Sequence, residues 1–133
     1  MRKLILAAAV AAAGLAAASG PALAHHSFAV FFDGDKTVTL KGVVKDFEFS
    51  NPHGVLTFVV DKDGKEEVWK AETNAPVIMR RLGWTPQSVK PGDRIGVEGW
   101  PARDGSNYVR MRRAFRGDGT PIGVPIGQIG DQK

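Results

Sequence analysis

The stretch "VTLKGVVKDFEF", residues 38–49, carries an apolar alternation whose parity changes partway along. The apolar face runs through even positions as far as Val44 and then shifts to Phe47 and Phe49. Because successive side chains of a strand point to opposite faces, a change of parity predicts a bulge. Gly42 lies where a bulge is easily accommodated. We therefore expect a long first strand that curls.

Beyond this strand the chain alternates short apolar runs with turn residues. The runs predict strands at 55–60 and 67–72, a short helix after residue 73, a strand opening at Ile95 and a last strand at 108–115. Three strands, one helix and two more strands, with a curled first strand, is the order of a five-stranded OB-like barrel. The expected fold class is therefore mainly β, with one short helix between strands 3 and 4. An open β-sandwich of the same strands is the alternative.

The helix is predicted from cap and stop signals. Asn74 is suited to cap its start, and Pro76 is tolerated in a first helical turn. Val77, Ile78 and Leu82 would form its buried stripe, and Gly83 is suited to end it.

The first 24 residues have the pattern of a signal peptide. Arg2 and Lys3 precede an apolar run at 4–18, and Ala22-Leu23-Ala24 is the small-x-small motif of a cleavage site. A membrane anchor is the alternative, but a spanning helix needs roughly 20 apolar residues. We expect cleavage after Ala24 and export to the periplasm or the outside of the cell, with no membrane span in the mature form.

The expected organisation has four parts. These are a signal peptide at 1–24, an N-terminal segment at 25–35, the barrel at 36–116 and a loosely ordered Gly/Pro-rich tail at 117–133. The sequence contains no cysteine, so packing alone must hold the barrel. Removing Arg2 and Lys3 leaves 16 basic against 14 acidic residues, a formal charge of +2, which does not imply a polyanionic partner.

Several segments together resemble one known family. They are "HHSFAVFFD" at 25–33, "VTLKGVVKDFEFSNPHG" at 38–54, "RRLGWT" at 80–85, "KPGDRIGVEGW" at 90–100 and "ARDGSN" at 102–107. They are similar to a family of small exported bacterial proteins catalogued as a domain of unknown function. The resemblance implies a small secreted β-barrel of unestablished activity. A more distant similarity, in architecture alone, is to periplasmic OB-fold stress proteins, which are binding modules.

The histidines are the candidate metal ligands. Cleavage after Ala24 would leave His25 with a free α-amine, so that its amine and ring nitrogens can chelate one ion. A third nitrogen would come from His53, in the turn after the first strand, or from His26. Such nitrogen ligands favour Cu(II) over its neighbours in the divalent series, which makes copper the first expectation and zinc the second. Alternatively, the paired histidines are only an export sequence and His53 caps a turn.

The chain lacks the common catalytic motifs, including a nucleophile elbow, a Walker loop, a dinucleotide fingerprint and HExxH. We therefore expect a binding module rather than an enzyme. Its partner would be a metal ion or an unidentified envelope component. Two alternatives stay open, a metal-free module that binds a protein or glycan, and a copper-dependent oxidase.

Four arginines near the end of the barrel raise the possibility of nucleic-acid binding. They are Arg110, Arg112, Arg113 and Arg116. OB barrels bind single strands through basic grooves and stacked aromatic rings. However, arginines alternating with Val109 and Met111 are typical of the solvent face of an amphipathic strand. Export also separates the protein from most nucleic acid, so we do not expect such a partner.

Overall fold

The computed structural model describes residues 27–126, and these form a closed five-stranded barrel. The elements are helix α1 (Ser27–Phe31), strands β1 (Val38–Glu48), β2 (Val55–Lys62) and β3 (Lys65–Glu72), helix α2 (Pro76–Arg81), and strands β4 (Arg94–Pro101) and β5 (Tyr108–Arg116). The strand order around the barrel is β1-β2-β3-β5-β4. The predicted five-stranded barrel, with a short helix between strands 3 and 4, is confirmed.

The barrel closes because β1 pairs with two strands. Val43 is opposite Val59 of β2 on one side and Arg94 of β4 on the other. Only β3 and β5 run parallel, and the other pairs within residues 27–126 are antiparallel. This closure excludes the open sandwich.

The irregularity predicted in β1 is present, but not at the glycine. The register with β2 shifts between Val44 and Asp46, which makes Lys45 the extra residue. Gly42 has a different role, since a Cβ atom there would lie 2.2 Å from the carbonyl oxygen of Val59. The glycine permits the close approach of β1 and β2, and the bulge that follows re-aims Phe47 towards the core.

The core fills the barrel and extends under α2. Trp84, Phe58 and Leu56 are among its largest fully buried side chains. Met79 of α2 and Met111 of β5 are also fully buried. These apolar side chains, rather than cross-links, hold the layers together.

Helix α2 begins one residue later than the cap signal predicts. Ala75 occupies the N-cap position without a side-chain hydrogen bond, and Pro76 is the first helical residue. Asn74 does not cap the helix because its Oδ1 accepts a hydrogen bond from Arg110. Leu82 is buried as predicted, whereas Val77 is 56% exposed. No helix within residues 27–126 has the length and apolar character needed to cross a membrane.

The predicted loose tail is wrong for residues 117–126. Pro121 forms a bridge with Phe115, and the amide of Ile122 donates to the carbonyl of Ala114. Ile122 and Ile126 are both buried in the core. The composition suggested disorder, but two isoleucines four residues apart find an apolar surface beside β5. Residues 127–133 lie outside the described part.

Candidate functional site

An open pocket of about 840 Å³ lies between helix α1 and one end of the barrel. One wall is apolar and consists of α1 and the residue after it, from Phe28 to Phe32. The other side is polar and contains His53, Glu72 and Arg110. A pocket that combines an apolar wall with a few convergent polar groups is typical of a binding site.

Helix α1 is fixed to the barrel by backbone and side-chain contacts. The Nε atom of Arg103 donates to the carbonyl of Ala29 at 2.8 Å, and the amide of Arg103 donates to the carbonyl of Phe31 at 2.9 Å. Phe32 is buried and forms a bridge with Ala102. This five-residue helix could not be predicted from the apolar pattern, because it depends on these tertiary contacts.

Glu72 is the centre of the polar side. The parallel pairing of β3 with β5 places it opposite Arg110, whose Nη1 donates to Oε1 of Glu72 at 2.8 Å. The hydroxyl of Tyr108 donates to Oε2 at 2.9 Å. The Nδ1 atom of His53 lies 3.4 Å from Oε1. One carboxylate therefore connects three side chains from two different parts of the chain.

Arg110 anchors this group to the backbone. It also donates to the carbonyl of Thr73 at 2.7 Å and to the side-chain oxygen of Asn74. Burial lowers the pKa of Arg110, and the negative charge of Glu72 acts in the opposite direction. A guanidinium stays protonated in proteins, so Arg110 and Glu72 form a neutralised, largely enclosed pair. The pair holds the carboxylate in a fixed position beside His53.

The ring of Tyr108 stacks on the ring of Phe32, which belongs to the apolar wall. The two ring centroids are 5.9 Å apart. Burial, together with the hydrogen bond and the charge of Glu72, raises the pKa of Tyr108 to about 12 from its ordinary 10.0. Loss of the phenolic proton would place a second negative charge beside the carboxylate. Tyr108 is therefore a donor that keeps its proton at neutral pH.

We expect a spectrophotometric titration of the folded protein to show tyrosine ionisation near pH 12, and that of the guanidinium-unfolded chain to show it near 10. The chain contains a single tyrosine, so absorbance at 295 nm reports Tyr108 alone. The folded state keeps a proton that the unfolded state loses between these values. The contribution of the Tyr108 hydroxyl to stability is therefore complete below pH 10 and is lost as the pH rises towards 12.

The Glu72→Gln variant is the control, because it removes the charge while leaving a side chain of similar size. Its ionisation should move back towards pH 10. Circular dichroism at each pH shows whether the fold persists through the titration. A folded wild-type protein that ionises near pH 10 would contradict the placement of Tyr108 against Glu72.

His53 is half exposed at its side chain and lines the pocket from the loop between β1 and β2. Its Nδ1 faces Glu72, which leaves Nε2 as the nitrogen free of the carboxylate. The contact is within ion-pair distance but is not among the hydrogen bonds of the described residues, so it places the ring beside the carboxylate without fixing its tautomer. A carboxylate beside one ring nitrogen is a common setting of a metal-binding imidazole.

The other two predicted ligands, His25 and His26, lie outside the described residues. Within residues 27–126, no three His, Asp or Glu side chains lie close enough together to hold a metal ion by themselves. Helix α1 begins at Ser27, directly after His26, and Phe28 lines the same pocket as His53. Within the described residues, a metal site would thus comprise one ligand, His53, and the carboxylate of Glu72 beside it.

Sequence reasoning missed Glu72 altogether, and it considered Arg110 only as one of four arginines in a possible nucleic-acid surface. Arg110 was expected on a solvent face, but only 15% of its side chain is exposed. Arg112 and Arg113 are also not free, since both lie within 3.5 Å of Glu98. The available signal was the cluster of arginines itself, because cations this close together repel one another unless acidic side chains lie between them.

No match was found in the comparison with curated proteins. A solved structure, described as the crystal structure of a complex of TiaS with tRNA and ATP, contains a similar chain, with 15% sequence identity and a TM-score of 0.42. The match covers 64% of this chain and only 19% of that one, so we draw nothing about function from it. Residues 11–110 match a family described as a family of unknown function, DUF6152. Because this match spans most of the sequence, the protein belongs to that family.

Proposed function

We propose that this protein is an exported binding module that holds a copper ion at the pocket between α1 and the barrel. The ligands would be the α-amine and ring nitrogen of His25 and the Nε2 atom of His53, with His26 as the alternative source of an imidazole. The observation that carries the proposal is the 3.4 Å approach of His53 Nδ1 to a carboxylate that is itself fixed by Arg110 and Tyr108.

The position of α1 also supports this proposal. The helix is pinned through Arg103, and it follows directly on the paired histidines. The amino-terminal residues of the processed chain therefore have a short tether to the pocket that contains His53. A short tether raises the local concentration of the second ligand group and so favours chelation over separate binding.

The signal-peptide pattern supports export, and cleavage after Ala24 creates the amine ligand. Binding would then be coupled to processing, since the precursor lacks that amine. Protons compete with metal ions for amine and imidazole nitrogens, so the affinity should fall as the pH is lowered.

The test is a Cu(II) titration of processed protein whose first residue, His25, has been verified by mass spectrometry. Electron paramagnetic resonance of the loaded protein should show coupling to several nitrogens. Four additional alanines before His25, or the His53→Ala substitution, should weaken binding by about a hundredfold or more, since each removes a direct ligand. A single alanine is avoided because it would make His26 the third residue, and a terminal amine, two backbone amides and a third-position imidazole bind Cu(II) tightly on their own. Glu72→Gln should weaken binding less, by about tenfold, because it removes the negative charge beside His53 but no direct ligand.

Lys70→Ala is the matched control, because Lys70 is exposed on β3 and does not line the pocket. It should leave the affinity unchanged. If the alanine extension and His53→Ala both bind copper like the wild type, the metal site does not exist. The metal-free module for a protein or glycan would then be favoured. A copper-dependent oxidase would require, in addition, oxygen consumption that depends on a reductant and disappears in His53→Ala.

A further inference from the structure

Strands β1 and β4 contain three glycines, and the fold explains only two of them. A Cβ at Gly42 would lie 2.2 Å from the oxygen of Val59, and one at Gly99 would lie 2.3 Å from the oxygen of Arg110. At Gly96 a Cβ would meet only the side chain of Phe115, at an ordinary distance of 3.8 Å. The φ angle of Gly96 is not in the left-handed region. Nothing within residues 27–126 requires glycine at this position.

Gly96 is on the outer surface of the barrel, since its neighbours Ile95 and Val97 point into the core. It lies between Lys41 of β1 and Phe115 of β5 in the same cross-strand row. All three residues line an open groove of about 990 Å³. A glycine in a strand interior weakens the strand and often marks a place where a ligand approaches the backbone closely. Gly96 therefore keeps the floor of this groove open.

The groove is positively charged. Its lining contains four basic residues, Lys41, Lys45, Arg94 and Arg116, and two acidic residues, Asp61 and Glu66. Among residues 27–126, none of these four cations lies within ion-pair distance of a carboxylate. This differs from Arg110, Arg112 and Arg113 on β5, which all contact glutamates. Arg116 also donates to the carbonyl of Ser88 at 3.2 Å, so the side chains of Lys41, Lys45 and Arg94 are the charges available to an anionic partner.

We propose that this groove binds an anionic polysaccharide. Carboxylate groups along the polymer would contact the basic residues, and the flat face of one sugar ring would lie over Gly96 against Phe115. Single-stranded nucleic acid fits less well, because its binding uses several aromatic rings on which successive bases stack. The groove offers one ring, Phe115. The expected export also brings the protein to surface polysaccharides.

This proposal does not depend on copper, because the groove shares no lining residue with the pocket that contains His53. The test is a calorimetric titration with an oligogalacturonate of defined length in the presence of a metal chelator. We expect binding that weakens with added salt. Lys41→Glu should weaken it by about tenfold or more, since it replaces an attraction with a repulsion. Gly96→Leu should weaken it similarly by filling the floor of the groove.

Lys70→Glu is the matched control, because it makes the same change of charge on β3 outside the groove. It should retain binding to within about twofold. Thermal unfolding of each variant identifies a loss of fold. If Gly96→Leu does not fold, Lys41→Glu still tests the proposal, because it alters only an exposed side chain. The proposal is overturned if the wild type does not bind oligogalacturonate, if both groove variants bind it normally, or if a single-stranded oligonucleotide of equal charge binds this groove more tightly.

Discussion

Replacing Trp84 with alanine is expected to lower the free energy of unfolding by about 3–5 kcal/mol, the range for removing a large buried aromatic side chain. Trp84 is 1% exposed and packs edge to face against Phe47 of β1, with ring centroids 5.7 Å apart. Its amide donates to the carbonyl of Met79 in α2. On another side its ring faces Gly123, where an added Cβ would lie 2.7 Å away.

This side chain therefore joins three parts of the molecule: the strand that curls, the helix and the segment after β5. Their backbones are fixed by other hydrogen bonds, so they can collapse only partly into the space that alanine leaves. Urea unfolding followed by far-ultraviolet circular dichroism measures the effect without relying on tryptophan fluorescence.

Trp69→Ala provides the comparison for Trp84. Trp69 is only partly buried, and its indole nitrogen donates to the side-chain carboxylate of Glu67. Its loss should cost clearly less than that of Trp84, because solvent can occupy part of the vacated space. Equal losses for the two variants, or a loss below about 1 kcal/mol for Trp84→Ala, would show that Trp84 does not seal the core.

The strands could be predicted because their signals are local. Alternating apolar residues identify the buried face of each strand, and turn residues such as Asp63 and Gly64, which both have positive φ, separate one strand from the next. The change of parity in β1 correctly indicated a bulge. These features depend only on neighbouring residues, so one sequence contains enough information to locate them.

The polar site could not be predicted in the same way. Glu72 and Arg110 are 38 positions apart and meet only because β3 and β5 pair in parallel. A period of two residues shows which side of a strand is buried, but it does not show which strand lies beside it. For the same reason Asn74 was interpreted as a helix cap, although Arg110 provides a stronger, charged donor for its side chain. His53 was accessible to sequence reasoning only because histidine is rare in this chain.

Gly42 of β1 and Gly96 of β4 belong to neighbouring cross-strand pairs, and the two should respond oppositely to substitution by alanine. Gly42→Ala is expected to lower the free energy of unfolding by about 3 kcal/mol, because the new methyl group would collide with the carbonyl of Val59. That oxygen belongs to the backbone of β2, so the clash can be relieved only by separating β1 from β2 at the point where β1 joins two strands.

Gly96→Ala is the matched variant, with the same change of one methyl group in the neighbouring strand. It should raise the free energy of unfolding by about 0.5–1 kcal/mol, because alanine has less backbone freedom to lose and its Cβ meets only ordinary contacts. Urea unfolding of both variants measures the contrast. Destabilisation by Gly96→Ala would mean that the fold itself needs this glycine, and the reason for placing a ligand over it would be removed. Stabilisation by alanine would mean that glycine at this position lowers the stability of the barrel. A function of the groove explains the presence of such a glycine, and the fold does not.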